Sequence, residues 1–276
     1  FPLKNSILSI LVYLSTAFVA RSTEMPGEIP IRATDLIGCV VTWSFFFLLR
    51  VFDEHKDYDL DVKNHPNRVL QSGLIGLKHL KIAGAICIFL QVVWTLAMGH
   101  GFGSAFNAWM IMFGWSCLMA AEFFCGEWLE KRLVLYALSH MLVMFLIGWW
   151  VAKLAAPAVN FGFLLASQLL MLFVGGFAFE ITRKTRGPEE ERETVDSYTK
   201  IFGVQGATQI VLGLILTLVL LQSVVILTVG NSVFWELLVL AGVLALTVKQ
   251  LFGFSRSPSL EMREKNEAMV GVLMLV

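Results

Sequence analysis

Charged residues are scarce in this sequence. They make up 15% of its 276 residues, whereas hydrophobic residues make up 57% and the mean hydropathy is +0.73. A soluble domain of this length carries about a quarter charged residues. The apolar residues also occur in runs of about twenty, the length that crosses a bilayer as a helix. The sequence therefore excludes an ordinary soluble domain and predicts an integral membrane protein.

Cysteine and net charge are also limited. The four cysteines form no CxxC pair, so we interpret them as small apolar core residues rather than as a disulfide or metal set. The formal net charge is zero, which gives no overall field to attract nucleic acid. The first apolar run ends at Arg21 without a small-residue cleavage site, so we expect no cleavable signal peptide. With no strand pattern or soluble domain, residues 1–276 are predicted to form one transmembrane domain.

The apolar residues fall into segments with the length of membrane-spanning helices. There are nine segments, at about 5–20, 35–52, 77–99, 104–121, 134–156, 160–180, 202–228, 232–252 and 263–276. They predict an all-α polytopic membrane protein with nine transmembrane helices in a bundle.

The charged residues lie mainly on one side of this bundle. All but three of the 21 Lys and Arg lie at the N-terminus or in loops after even-numbered segments; the exceptions are Arg21, Arg32 and Lys153. The positive-inside rule places that side in the cytoplasm. All but four of the 21 acids lie there too. Because acids contribute little to insertion, we expect chemistry at this face, in a central cavity open to the cytoplasm.

An acidic stretch follows the second segment, with five acids between residues 53 and 61. If the preceding helix continues, Asp53, Glu54, Asp57 and Asp61 lie on one broad face. Like charges four residues apart repel each other unless a cation neutralises them, and Mg²⁺ binds to one or two carboxylates plus substrate phosphates. These four acids are therefore predicted Mg²⁺ ligands; the alternative is a solvated acidic loop.

Basic residues near the same face are candidate phosphate ligands. Arg68 can grip phosphate oxygens with two parallel hydrogen bonds; alternatively it anchors a lipid headgroup. Lys131 and Arg132, between segments 4 and 5, can neutralise phosphate or only set topology.

A third charged stretch follows segment 6. Glu180, Arg183, Lys184, Asp196 and Tyr198 are candidates to line the cavity, whereas the run 189–193 is predicted to be a solvated loop. Carboxylates for a metal and cations for phosphate, in front of an apolar bundle, suit a substrate with a diphosphate head and a hydrocarbon tail.

These stretches resemble the UbiA superfamily of intramembrane prenyltransferases. The family's first motif, N-D-x-x-D-x-x-x-D, and the following N-x-P-x-R-P-L-x-S-G are similar to Asp53-Glu54-x-x-Asp57-x-x-x-Asp61 and to Asn64-His65-Pro66-Asn67-Arg68-Val69-Leu70-Gln71-Ser72-Gly73. The family's Lys-Arg pair is similar to Lys131-Arg132. The resemblance implies nine transmembrane helices with Asp-rich cytoplasmic loops after helices 2 and 6, here at about 53–76 and 180–203.

The second family motif, D-x-x-D-x-x-x-D, is altered. With Glu180 at its first acid, Arg183 and Gly187 occupy the second and third acid positions. A cation cannot ligate a metal. Either one Mg²⁺ suffices and Arg183 and Lys184 hold phosphate directly, or acids come from further along the loop. The change also suggests an unusual donor, such as a phosphorylated sugar transferred to a lipid phosphate.

The resemblance implies a Mg²⁺-dependent transferase that moves a polyprenyl group from its diphosphate to a small-molecule or lipid acceptor and releases diphosphate. Glu180 joins the four metal candidates, and Asp196 or Tyr198 is a candidate base. Two alternatives remain: glycosyl-type transfer, for example of a phosphoribosyl group, to a polyprenyl phosphate, and membrane transport. Few ionisable residues lie within the predicted spans, which argues against transport. We expect membrane lipids as surroundings, in a bacterial-type inner membrane, and no nucleic-acid partner.

Overall fold

The computed structural model describes residues 3–24, 31–64, 67–192, 196–230 and 232–276. This part of the chain is helical. Its α-helices are α1 Leu3–Glu24, α2 Thr34–Lys56, α3 Tyr58–Asn64, α4 Leu77–Met98, α5 Ser104–Ala120, α6 Gly126–Glu130, α7 Leu133–Ala155, α8 Phe163–Arg183, α9 Tyr198–Val229, α10 Val233–Arg256 and α11 Leu260–Leu273. Each predicted apolar segment falls on one of these helices, and the short helices α3 and α6 lie in the charged loops.

Seven helices in the described ranges are long and apolar enough to cross a membrane, namely α1, α2, α4, α7, α8, α9 and α10. Helix α5 has 17 residues and α11 has 14, with several charges in its first half. The predicted count of nine spans is therefore not confirmed, whereas the all-helical membrane fold is. At 1.5 Å per residue, α5 is about 26 Å long, somewhat less than the hydrocarbon core of a bilayer.

The chain divides into two compact units. The first comprises residues 1–124 and 146–159, and the second comprises residues 125–145 and 160–276. The acidic stretch 53–61 belongs to the first unit, whereas Lys131, Arg132 and the stretch after α8 belong to the second. The prediction of one domain over residues 1–276 stays a prediction.

The core of the first unit combines aromatic rings with buried polar groups. Phe45 and Trp150 are fully buried, with ring centroids 6.1 Å apart. The Trp150 indole N–H donates to Thr95 Oγ1 at 3.0 Å, and the Trp109 N–H donates to Gln91 Oε1 at 3.1 Å. Polar groups without water must find partners inside the protein. These bonds join α4 to α5 and to α7.

A buried ion pair joins the end of α1 to the start of α2. Arg21 donates to both Asp35 carboxylate oxygens, at 2.6 and 2.8 Å, and Tyr13 donates to the same carboxylate at 3.0 Å. Lys153, at the end of α7, donates to the Val159 carbonyl at 2.6 Å. Two of the three cations outside the predicted cytoplasmic side are thus buried and partnered, as charges in a membrane protein interior must be.

Gly38 has no side chain, which leaves room for the Tyr13 ring to pack against α2 and bond to Asp35. A Cβ atom at position 38 would lie 2.1 Å from the Tyr13 ring. The tyrosine is almost fully buried, so its ring has little room to move. The crossing of α1 and α2 therefore requires a residue without a side chain at this position.

The second unit is built from α8, α9, α10, α11 and the first part of α7. Its core includes Ile181, Val211, Ile215, Leu218 and Leu273, all almost fully buried. Helix α9 changes direction at Gly203, where φ is +70°, a conformation that glycine adopts readily. The straight part of α9 therefore begins close to residue 202, where the apolar segment was predicted to begin.

The cysteines are all free, and Cys87 is buried. The interpretation of all four as core residues is wrong for Cys117 and Cys125, which are exposed. Cys117 lies in the last turn of α5, and Cys125 directly precedes α6. An apolar run alone does not separate a surface that faces lipid from one that faces protein, because both are apolar in a membrane.

Candidate functional site

The acidic stretch continues α2 with only a small break. Helix α2 ends at Lys56 and α3 begins at Tyr58. The Asp57 N–H donates to the Asp53 carbonyl at 2.9 Å, and the Asp61 N–H donates to the Asp57 carbonyl at 2.8 Å. Helical hydrogen bonding therefore bridges the junction, which agrees with the predicted continuation of the helix past residue 53.

The four predicted metal ligands differ in their partners. Glu54 forms an ion pair with Arg50, one turn earlier. Asp61 accepts a hydrogen bond from Arg68 at 2.7 Å. Within the described ranges, the carboxylates of Asp53 and Asp57 have neither a hydrogen-bond partner nor an ion-pair partner. One helical turn separates these two acids, and they are the pair left open for a cation.

The open pair fits a magnesium ion that also binds phosphate. Among the described residues, no three His, Cys, Asp or Glu side chains are grouped so that they alone would hold a metal. Mg²⁺ does not need such a cage, since it is commonly bound by one or two carboxylates, waters and substrate phosphates. Asp53 and Asp57 supply the hard oxygen donors that this mode of binding requires.

Arg68 lies beside the acidic stretch and is bonded to one of its acids. Its guanidinium is half-exposed and is bonded to Asp61. The preceding His65 and Pro66 lie outside the described residues, so the predicted motif is described only on either side of them. Arg68 has further N–H groups beyond the one that Asp61 accepts, so the ion pair leaves donors for phosphate.

Lys131 and Arg132 lie between α6 and α7, and both are exposed. The Arg132 guanidinium carbon lies 4.1 Å from the centroid of the Trp128 ring, and the same side chain donates to the Trp128 carbonyl at 3.0 Å. Stacking on an aromatic ring fixes the plane of a guanidinium without neutralising its charge. The Arg132 side chain is therefore held in one position, and its positive charge remains available to bind an anion.

The altered second motif forms a compact charge cluster in the second unit. Arg183 donates to both Glu180 carboxylate oxygens, at 2.8 and 3.0 Å, and Lys184 Nζ lies 3.0 Å from the same carboxylate. Lys184 Nζ also lies 5.1 Å from the centroid of the Tyr136 ring. Glu180 is thus bound by two cations, which leaves the cluster with one net positive charge and suits it to an anion.

The two predicted base candidates have different surroundings. Tyr198 is fully buried, and its hydroxyl donates to the Leu133 carbonyl at 3.1 Å. This bond fixes the start of α9 against the start of α7. Asp196 is exposed, two residues before α9. The catalytic role of both groups stays a prediction.

The acidic run after α8, predicted to be a solvated loop, is exposed at Glu189 and Arg192 and partly buried at Glu190 and Glu191. Glu189 accepts a hydrogen bond from the Leu260 amide at 2.6 Å, and Glu190 forms an ion pair with Arg263 at 2.9 Å. Glu193 lies outside the described residues. The backbone amide that donates to Glu189 lowers the pKa of this carboxyl from its ordinary value. The run therefore attaches the second-motif loop to the start of α11.

Sequence reasoning also missed Glu122. This residue pairs with Lys56, the cation next to Asp57. Glu122, Phe123 and Phe124 all have left-handed backbone conformations, with φ of +48°, +51° and +57°. No glycine or asparagine marks this turn, so the sequence carries no signal for it.

The chain is similar to known proteins both in sequence family and in fold. The model of the UbiA prenyltransferase family matches residues 11–268. The sequences of curated proteins give no significant match. Among solved structures, the fold is similar to a UbiA homologue from Aeropyrum pernix K1, with a TM-score of 0.68, 13% identity and coverage of 99% of this chain and 98% of that chain.

A second similar structure comes from work on digeranylgeranylglyceryl phosphate synthase in membranes. Its TM-score is 0.63 at 18% identity, over 98% of this chain and 88% of that chain. At such low identities the two structures establish the shared fold, and the family match over most of the chain establishes the family.

Proposed function

Because the chain belongs to the UbiA prenyltransferase family, we propose that it is a Mg²⁺-dependent intramembrane transferase that moves a polyprenyl group from its diphosphate to an acceptor. Members of this family are membrane-embedded prenyltransferases. The metal dependence, the donor and the acceptor are the parts of the statement that we add.

The observation that carries the proposal is the open pair, Asp53 and Asp57. Two carboxylates one turn apart repel each other, and within the described ranges no cationic side chain binds either one. Their neighbours Glu54 and Asp61 are each neutralised by an arginine. The first and third acids of the stretch are therefore left without an ion-pair partner among the described residues, and we propose that a divalent cation binds to them.

Phosphate contacts are assigned to five cations in three parts of the chain. Arg68, Lys131 and Arg132 carry exposed or half-exposed positive groups, and Arg183 with Lys184 leaves one net positive charge around Glu180. When bound, Mg²⁺ neutralises charge that develops on the leaving diphosphate. Arginine and lysine side chains form hydrogen bonds to phosphate oxygens, and such bonds strengthen as negative charge develops on the leaving group.

The reaction breaks the allylic C–O bond of the donor. The electron pair stays on the departing diphosphate, and a nucleophilic atom of the acceptor bonds to the carbon and loses its proton. The apolar helices keep water from the cationic carbon. Asp196 remains the exposed carboxylate proposed to accept the acceptor's proton, with Tyr198 as the buried alternative.

The test uses the purified full-length chain in lipid nanodiscs with prenyl diphosphates of several lengths. Mass spectrometry follows the prenylated product when the membrane lipids, or a small aromatic compound, serve as acceptor. We expect product and diphosphate in equal amounts with Mg²⁺, and neither after EDTA treatment. Full turnover in EDTA would contradict the metal role, and absence of any prenyl transfer would contradict the proposed reaction.

The cation-bound Glu180 favours a second candidate, glycosyl-type transfer to a polyprenyl phosphate. Arg183 stands where the family motif has an acid, so the second loop recognises an anion more readily than a metal. The same assay, with a phosphoribosyl diphosphate donor and polyprenyl phosphate, distinguishes the two. A sugar-linked lipid product would support this candidate, and a prenylated acceptor would support the first.

We place the protein in a bacterial-type inner membrane with the N-terminus and both motif loops on the cytoplasmic side. The distribution of lysine and arginine supports this orientation.

A further inference from the structure

We propose that Glu122 is a positioning residue that holds Lys56 away from Asp53 and Asp57, and thereby keeps these two carboxylates open for a divalent cation. The inference rests on the proposed Mg²⁺-dependent function. It assigns a role to a residue that lies 66 positions after Lys56 and outside every sequence motif.

The position of Lys56 makes it a competitor for the metal. It is three residues after Asp53 and directly precedes Asp57. Side chains three or four residues apart on a helix are neighbours, and a lysine so placed pairs with the acid. A lysine bonded to Asp53 would occupy the carboxylate with a single positive charge. Because the lysine is part of the chain, this charge would stay near the site and compete with the metal ion.

In the second unit, cations three and four residues after an acid pair with the carboxylate of that acid. Glu180 lies about one helical turn before Arg183 and Lys184, and both cations form ion pairs with its carboxylate. Asp53 has a cation at the equivalent i+3 position, yet Lys56 binds Glu122 instead. The same local spacing therefore gives a closed carboxylate in one unit and an open one in the other.

The turn that presents Glu122 is energetically unfavourable by itself. Three consecutive non-glycine residues, from Glu122 to Phe124, adopt left-handed conformations, which L-amino acids avoid because Cβ approaches the backbone. Phe123 packs edge-on against Trp115, with ring centroids 5.1 Å apart, which helps to stabilise the turn. Strain of this kind persists where the surroundings impose it, and it concentrates at functional sites. Here the strained turn places the Glu122 carboxylate beside Lys56.

The experiment measures Mn²⁺ binding to the full-length protein in detergent by electron paramagnetic resonance, with Mn²⁺ as a probe for Mg²⁺. In Glu122→Gln, Lys56 is released, and we expect roughly three- to tenfold weaker binding. In Lys56→Met the competitor is absent, and binding stays equal to or tighter than that of the unaltered protein. The double variant returns to the Lys56→Met value, because the change at position 122 acts on the metal site only through Lys56.

A matched control is Glu261→Gln, which breaks the exposed Glu261–Lys265 pair in α11 and is expected to leave Mn²⁺ binding unchanged. Equal weakening in Glu122→Gln and in the double variant would overturn the inference, since the effect would not pass through Lys56. A lower melting temperature with unchanged Mn²⁺ binding would also overturn it and leave a purely structural ion pair.

Asp57→Asn separates this inference from the proposed function. If Asp57→Asn abolishes Mn²⁺ binding and Glu122→Gln does not weaken it, the role of Glu122 is wrong and the metal site stands. If Asp57→Asn leaves Mn²⁺ binding intact, the metal site itself is wrong and the inference is overturned with it.

Discussion

The acidic residues of the first motif are chemically equivalent in the sequence and different in the structure. Glu54 and Asp61 each have an arginine, whereas Asp53 and Asp57 have no such partner within the described ranges. An ion pair at a half-exposed site contributes little to stability, so its main effect here is on charge. Of the four predicted metal ligands in this stretch, two are therefore left without an ion-pair partner in the described part of the chain.

This difference predicts unequal effects of single substitutions. Asp57→Asn removes a proposed metal ligand, and we expect a fall in kcat/KM of about 100-fold or more, the scale on which loss of transition-state charge stabilisation acts. Asp59→Asn makes the same chemical change at an exposed position two residues away and is expected to retain most activity. Turnover of the prenyl donor at several Mg²⁺ concentrations checks both.

Equal losses in the two variants would show that only the total charge of the stretch matters. Equal retention would show that the metal is not held by Asp57. Either result would contradict the assignment of Asp57, and not Asp59, to the proposed metal site.

At the residue scale, the sequence predicts which side chains belong to the candidate site better than it predicts the partners of those side chains. The spacing of Asp53, Asp57 and Asp61 identifies the stretch because helical periodicity is a local property. The pairing of Lys56 with Glu122 depends on a turn whose left-handed residues have no glycine to indicate it. Contacts that depend on tertiary structure leave no such local pattern.

At the scale of elements, one glycine controls how α1 and α2 cross. Gly38→Ala would place a Cβ atom 2.1 Å from the Tyr13 ring, and the buried ring would have to move away from Asp35. Overpacking of this kind typically costs about 1–3 kcal/mol. We therefore expect a lower unfolding midpoint, measured by thermal denaturation in detergent.

Gly114→Ala is the matched control for this prediction. A Cβ atom at Gly114, within α5, would meet no atom within 4 Å, and alanine favours helix more than glycine does. We expect its midpoint to be unchanged or higher. Equal midpoints for the two variants would show that the crossing tolerates a side chain at position 38.

The loop after α8 shows why an element can be predicted while its environment is not. Its acids follow a proline and have no helical periodicity, so the sequence indicates a solvated loop. The structure instead bonds Glu189 to the start of α11 and Glu190 to Arg263. Their partners lie about 70 residues away, and a polar side chain gives no local indication of whether it faces water or another helix.

At the scale of the whole molecule, the helical membrane fold follows from composition, whereas the number of spans does not. Seven of the described helices meet the length and apolarity of a span. Helix α5 is short, and α11 begins with charged residues that pair with one another and with Glu190. Whether such helices cross the bilayer depends on their neighbours as much as on their own sequence.

The orientation of the molecule is testable with its own cysteine. Cys125 is exposed in the loop between α5 and α7, on the predicted cytoplasmic side. In a variant whose other cysteines are alanine, we expect a membrane-impermeant maleimide to label Cys125 only after the cells are permeabilised. Asn160→Cys, in the exposed loop between α7 and α8, should be labelled in intact cells when Cys125 is also replaced. The reverse pattern would invert the proposed topology.

The bonds from Glu189 and Glu190 to α11 also bear on how the protein matures during synthesis. The loop emerges from the ribosome about 70 residues before Leu260 and Arg263, its anchors. At about 5–20 residues per second, several seconds pass before Glu189 and Glu190 can bind their partners in α11. The second-motif loop therefore acquires its final arrangement only when translation reaches α11, so the chain remains immature until then.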